Sequence, residues 1–275
     1  MRAIKAILVR NLTNFTRDKL RFLLTILMSV FFLFIFSFVM KSAAQGIAQP
    51  MNYLITGIII MSVFQAGMSN SMNIIEDISS GFMKEILVSP IARWQISIGQ
   101  VLSSAAIAVL QGIIILVMGL FMGLKLDSTH FIEMTGIMIL VGITFSSMGL
   151  YLAALVKSST SFQIVTSLAM IPLTFLSGAY IPTTVMPGFL RPVIFLNPLT
   201  YTTAAFRYVA LKMENLPVAA LVKSGVAFNI HGFVVLPYLA LFIVIAMGMI
   251  FFTLCVQQFN KADFSRVKVF RGGHH

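Results

Sequence analysis

The chain has 275 residues, of which 59% are hydrophobic and only 10% charged, and its mean hydropathy is +0.97. A soluble domain carries about 25% charged residues, so this composition excludes a water-soluble globular fold and makes lipid the solvent. The net charge of +11 would suggest nucleic acid in a soluble protein; in a chain this apolar it records orientation in a membrane.

Residues 1–21 carry Arg2, Lys5, Arg10, Arg17, Lys19 and Arg21 around the apolar Ile4, Ile7, Leu8, Leu12 and Phe15. Those apolar positions share one helical face. They predict a basic amphipathic helix in the membrane interface, with a disordered basic arm as the alternative. Six apolar stretches follow, at roughly 22–40, 51–75, 98–122, 134–156, 161–180 and 234–257. At about 1.5 Å per residue, each can cross a hydrocarbon core of about 30 Å. None alternates as barrel strands do. The first run begins only at Phe22, behind a basic segment, and is longer than a leader's apolar core, which predicts no cleaved signal peptide.

Residues 181–233 are moderately apolar but interrupted by Pro182, Pro187, Pro192, Pro198 and Pro217. Proline at that density forbids one continuous spanning helix. A shorter helix over Tyr201–Met213 is compatible with it, started by Asn197-Pro198 and carrying Arg207 and Lys212. With both termini inside, thirteen of the 19 Lys and Arg lie in inner segments; the other six are Lys41, Lys125, Arg191, Arg207, Lys212 and Lys223. That asymmetry obeys the positive-inside rule. A seventh span through 185–213 would move Lys261, Arg266, Lys268 and Arg271 outside and break it. The 181–233 segment is therefore expected to be extracellular or re-entrant, where irregular backbone is tolerated under a cover of protein. Residues 258–275 become a cytoplasmic tail.

No Asp, Glu, Lys, Arg or His falls inside the six stretches as drawn. This argues against an ion-coupled transporter, an intramembrane hydrolase, and a channel with a charged ring. There is no His-Glu-x-x-His, no Gly-x-Ser-x-Gly and no Gly-x-x-x-x-Gly-Lys-Ser/Thr phosphate loop. The single cysteine, Cys255, can form neither an intramolecular disulfide nor a cysteine metal site, and the four histidines lack metal spacing. The chain is read as no enzyme, with no metal and no cofactor of its own; energy for pumping comes from another chain. Uncharged polar residues do line two faces. In the second stretch these are Ser62, Gln65, Ser69 and Asn73; in the fifth, Gln163, Thr166, Ser167, Thr174 and Ser177, with Met170 among them. Such stripes either join helices by hydrogen bonds or offer a path to an amphipathic, largely apolar cargo.

One charged interval separates two long apolar segments on the inner side: 76–93, with Glu76, Asp77, Gly81, Lys84, Glu85, Leu87, Pro90 and Arg93. Taken alone, it is either a polar loop or the handle by which an outside motor moves the bundle. The spacing of Asp77, Gly81, Leu87, Pro90 and Arg93 resembles the loop after the second span of type 2 ABC exporter permeases. The runs Pro172–Pro182 and Leu196–Tyr201, with Pro182, Asn197, Pro198 and Tyr201, are similar to that family's fifth span and re-entrant outer segment. The resemblance covers nearly the whole chain.

The resemblance implies an all-α polytopic membrane protein forming one permease domain. Its parts are six transmembrane helices, an N-terminal interfacial helix, a cytoplasmic coupling helix at 76–93 and an extracellular re-entrant segment before the last span. It also implies a homodimer in the cell membrane, clasped by two ABC ATPase subunits that bind ATP and magnesium, with no nucleic-acid partner. The coupling helix would sit in the ATPase, and spans two and five would form the cargo path along the two polar faces. The chain departs from the pattern at Phe82, where many members have Thr, and at Lys84, where an acid is expected. The Asp-x-x-x-Gly form leans toward the daunorubicin-type drug exporters, so the expected cargo is drug- or lipid-like and moves outward. A single Trp, Trp94, and few tyrosines offer little stacking for sugars. This weighs against the alternative of a polysaccharide or teichoic-acid-type exporter; a non-transporting membrane scaffold is the other alternative.

Overall fold

The layout follows from one helix that is buried on nearly every side. In the computed structural model, which describes residues 2–43, 49–81, 83, 91–156, 158–230 and 232–261, helix α3 (Pro50–Asn70) begins with proline in its first turn. That is where the missing N–H costs nothing. Every residue from Tyr53 to Phe64 is buried, as expected of a helix whose polar residues are few. Around it stand α5 (Arg93–Phe121) and α6 (Ser128–Leu155), with α9 (Pro198–Ala210) against the half nearer Pro50. The core runs along this contact, where Phe64 and Phe145 meet edge-to-face at 4.6 Å. Helix α11 (Pro237–Lys261) packs on α6 and α9 from outside. Among the described residues four helices are long and apolar enough to cross a membrane: α3 with its extension to Ile78, α5, α6 and α11.

Two further predicted spans are helices of a different character. Helix α2 (Lys19–Ala43) has 25 residues and presents Leu23, Leu27, Met28, Phe31, Phe34 and Phe38 outward. Helix α7 (Ser159–Phe175) has 17 residues, so it stops short of the 161–180 expected for it. The cause is the Ser177-Gly178 turn, in which Gly178 takes φ +80, a region that costs glycine little. Ile164, Leu168, Ile171 and Phe175 of α7 are all more than half exposed.

At one end of the bundle lies α1 (Arg2–Arg17), as the amphipathic pattern predicts. It buries Ile7, Asn11 and Phe15 against α5. At the same end α3 breaks at Ser71-Met72 and resumes as α4 (Asn73–Ser79). The Ser71 hydroxyl lies 3.2 Å from the carbonyls of Gly67 and Ser146, which fastens the break to α6.

The far end is built from the proline-rich segment. It contains two short turns of 3-10 helix, α8 (Arg191–Leu196), α9, α10 (Val218–Lys223) and a hairpin of β1 (Phe228–Ile230) with β2 (Phe233–Val235). Asn197 caps α9: its Oδ1 accepts from the Leu199 N–H, and Pro198 follows at the first helical position. The helix starts where Asn197-Pro198 predicts but ends at Ala210, three residues before Met213. All thirteen residues of α9 are buried.

Candidate functional site

Three places gather the predicted site residues and their polar partners. The first is at the α1 end. Asp77, on α4, is buried, and its carboxylate accepts from both terminal nitrogens of the Arg10 guanidinium, one at 3.1 Å, and from Gln100 Nε2 at 3.2 Å. The Gln100 carbonyl in turn accepts from Asn11 Nδ2 at 2.8 Å, and that amide also donates to Ser103 at 2.8 Å. One network therefore ties α1, α4 and α5 together. Charged pairs with geometry of this kind are stronger than neutral hydrogen bonds, and stronger again away from water.

Glu76, one residue before Asp77, is exposed. Gly81 has φ +84 with open space where a side chain would stand, and Arg93 begins α5 half-buried. Lys84, Glu85, Leu87 and Pro90 lie outside the described residues, as does Phe82.

The second place is a cleft of about 470 Å³ between α2 and α3. One wall is the polar face of α3, with Ser62, Gln65 and Ser69; the other is the apolar face of α2, with Leu24, Met28 and Phe32. Gln65 and Ser69 are exposed along it. Ser62 is buried and donates back to the Ile58 carbonyl at 2.7 Å, which leaves its oxygen only as an acceptor. Gln111 of α5 closes the back, with its Oε1 buried and unbonded. Asp18 stands at the α1 end of the cleft and Tyr180 at the other, where Tyr180 stacks on Phe32 at 6.0 Å.

Asn73 does not continue the α3 stripe. It lies beyond the break and lines a small neighbouring pocket with Arg10 and Asp77. The α7 stripe is split as well. Gln163 and Ser167 face outward, whereas Thr166 and Thr174 are buried and Ser177 is consumed in the terminal turn, accepting from the Ala179 N–H. The cleft is thus walled by α2, and α7 lends it no residue; Tyr180, just beyond that helix, lines its far end.

The third place is where the far-end segment meets the bundle. Arg207 of α9 is 1% exposed. Its guanidinium donates to the carbonyls of Gly178 at 3.2 Å, Ala179 at 3.2 Å and Tyr53 at 3.3 Å, and lies 3.3 Å from the centre of the Tyr53 ring. The Tyr53 hydroxyl donates to Gly178 as well, at 3.2 Å. Gly57 permits this junction, since a Cβ there would overlap the Ala179 carbonyl. Pro182 and Asn197 are buried nearby, Asn197 Nδ2 donates to the Leu173 carbonyl at 2.8 Å, and the Tyr201 hydroxyl donates to Phe195 at 2.6 Å. Pro198 and Tyr201 are buried with the rest of α9.

Sequence reasoning gave no role to Arg10, Asn11, Gln100 and Ser103, and counted Arg207 only among the outer charges. Two signals pointed to them: Asn11 interrupts the apolar Ile7–Phe15 face, and Arg207 sits alone in an otherwise uncharged helix.

Compared with known proteins, residues 2–211 match the family described as ABC-2 type transporter. The inner membrane transport permease YadH of Escherichia coli K12 is 25% identical over 176 residues, 61% of this chain and 65% of the relative. The transport permease ycf38 of Cyanophora paradoxa is 26% identical over 161 residues, 58% of this chain and 56% of the relative. The matched stretch thus spans less than two thirds of either relative.

Proposed function

The chain belongs to the ABC-2 type transporter family, and on that premise we propose that it is the membrane-spanning permease subunit of an ATP-driven exporter. In this reading a separate ABC ATPase, two copies per complex, binds ATP and magnesium and engages the 76–93 interval from the cytoplasm. Two copies of the chain pair in the cell membrane with all termini inside, α2 and α7 joining the four long helices as spans. The exposed apolar sides of α2 and α7 support that pairing, because a second copy would cover them.

The observation that carries the reading is the α2–α3 cleft, where Ser62, Gln65 and Ser69 stand among Ile58, Met61 and Ala66 on one wall and face a largely apolar α2 on the other. It suits a drug- or lipid-like amphipathic cargo, whose outward movement would follow closure of the inner end. The energy input is short: α4 carries Glu76 and is separated from the cleft-lining α3 only by Ser71-Met72. Asp77, turned inward to Arg10, acts in this scheme as the tie between the handle and α1. Glu76 and the residues beyond Gly81 meet the ATPase.

The test is ATPase activity of the co-purified complex with candidate amphiphiles. Gln65→Leu with Ser69→Leu should remove most of the cargo stimulation, and Gly81→Pro should abolish stimulated turnover while the complex still assembles. Full stimulation in both variants would overturn the scheme.

A further inference from the structure

The far end of the bundle holds a second cavity, of about 640 Å³, between α6 and α11. It takes no part in the cleft, the handle or the Arg207 junction. Its mouth is acidic and aromatic. His130 Nδ1 lies 3.0 Å from Asp127 and its Nε2 3.4 Å from Glu214. Glu133 stands one turn along α6, and Tyr208 and Tyr238 meet edge-to-face at 5.8 Å. The chain has only 8 acidic residues against 19 basic ones. Asp127, Glu133 and Glu214 are three of those eight and meet at this one corner. Lys212 is ion-paired to Asp127, while Glu133 and Glu214 line the cavity, with His130 and Tyr208 beside Glu214.

Below the mouth the lining changes to Ile137 and Leu140 of α6 and Leu241 and Ile245 of α11. Residues three and four apart lie on one helical face, so each helix offers a strip running down from the charged mouth. From Glu133 to Leu140, and from Tyr238 to Ile245, the strip is about 10 Å long at about 1.5 Å per residue. That is most of one leaflet's hydrocarbon depth of about 15 Å. Gly136 leaves open space on the α6 side.

Carboxylates beside aromatic rings attract an ammonium, which gains from both the charge and the ring face. The apolar strip beneath suits one alkyl chain, and the volume falls in the range of small-molecule sites. We propose that this cavity binds a single-chain amphiphile with an ammonium head, seated at Glu133, Glu214 and Tyr208 with its chain between α6 and α11. A zwitterionic phospholipid is the poorer occupant, because its phosphate would be carried against the same carboxylates. The site does not depend on the exporter reading.

The test uses the full-length protein in nanodiscs of phosphatidylcholine. It is labelled with a photoreactive dodecyltrimethylammonium or with the matching uncharged dodecyl alcohol, and the labelled peptides are mapped by mass spectrometry. The ammonium probe should label the Gly136–Leu140 and Leu241–Ile245 stretches. Its apparent affinity should fall by about tenfold in Glu133→Gln/Glu214→Gln, and by less in Tyr238→Leu. The alcohol should label weakly and equally in all three proteins, which also reports that the variants are folded. Equal labelling by the two probes, unchanged affinity in the Gln variant, or competition by added phosphatidylethanolamine would each overturn the proposal.

Discussion

The two ends of the bundle are each held by one arginine, and they hold in different ways. Arg10 meets a carboxylate, Asp77, and its side chain is still 30% exposed. Arg207 is buried completely, and its partners among the described residues are three carbonyls and a tyrosine ring, with no carboxylate. A pair that keeps one partner in contact with water can part and re-form at modest cost, whereas Arg207, whose Nε already goes without a partner, is held by the three carbonyls and the ring and loses them only at a high cost. The α1 end is therefore the joint that can give, and the far end is the fixed one. This matches a molecule pushed from one side.

The sharpest way to break the comparison is Arg207→Ala. It strands buried carbonyls and leaves a cavity under Tyr53, and should cost about 3 kcal/mol or more. Thermal unfolding in detergent would read this, with proteolysis beginning in residues 181–233. Gly57→Ala strains the same junction by driving a methyl into the Ala179 carbonyl, with an expected loss of about 2–3 kcal/mol.

At the other end, Arg10→Ala or Asp77→Ala should cost about 2 kcal/mol each, and the double variant little more than either alone. The functional signature is the informative part: these variants should uncouple ATP hydrolysis from cargo, while Arg207→Ala should fail to assemble. If Arg10→Ala behaved like Arg207→Ala in both assays, the distinction between joint and rivet would be gone.

The smallest effect is expected at the exposed Asp127. Its hydrogen bond from Lys212 holds the carboxyl below the usual carboxylate range, with His130 adding to this. A carboxyl with a depressed folded value contributes stability above its unfolded value and loses it as pH falls through the folded one. Asp127→Asn should therefore lower the melting temperature slightly at neutral pH, and the difference from the unmodified chain should vanish in acid, where Asp127 is itself protonated.

Much of the fold was legible because lipid imposes long apolar runs, and four of them are the long helices seen here. The α1 helix and the start of α9 were legible for local reasons, an amphipathic period and an Asn-Pro start. What was not legible depends on distant partners. Asn11 finds Gln100 eighty-nine positions away, and Arg207 finds Tyr53 across 154; no local pattern announces either contact. Ser62, Gln65 and Ser69 of the α3 stripe line one cleft, but Asn73 was assigned to it because hydropathy does not see the break at Ser71-Met72. That the cleft is walled by α2 could not be seen either, since helical period tells which residues share a face and not which helix that face meets.

The buried Arg207 has an electrical consequence. A permease that opens to its cargo must not become a leak for protons or metal ions, whose gradients the cell maintains across the same membrane. A fixed positive charge in a low-dielectric surround raises the energy of any small cation nearby. In the exporter proposed above, Arg207, set where the Pro50 end of α3, the end of α7 and α9 converge, would place such a charge at the far end of the bundle.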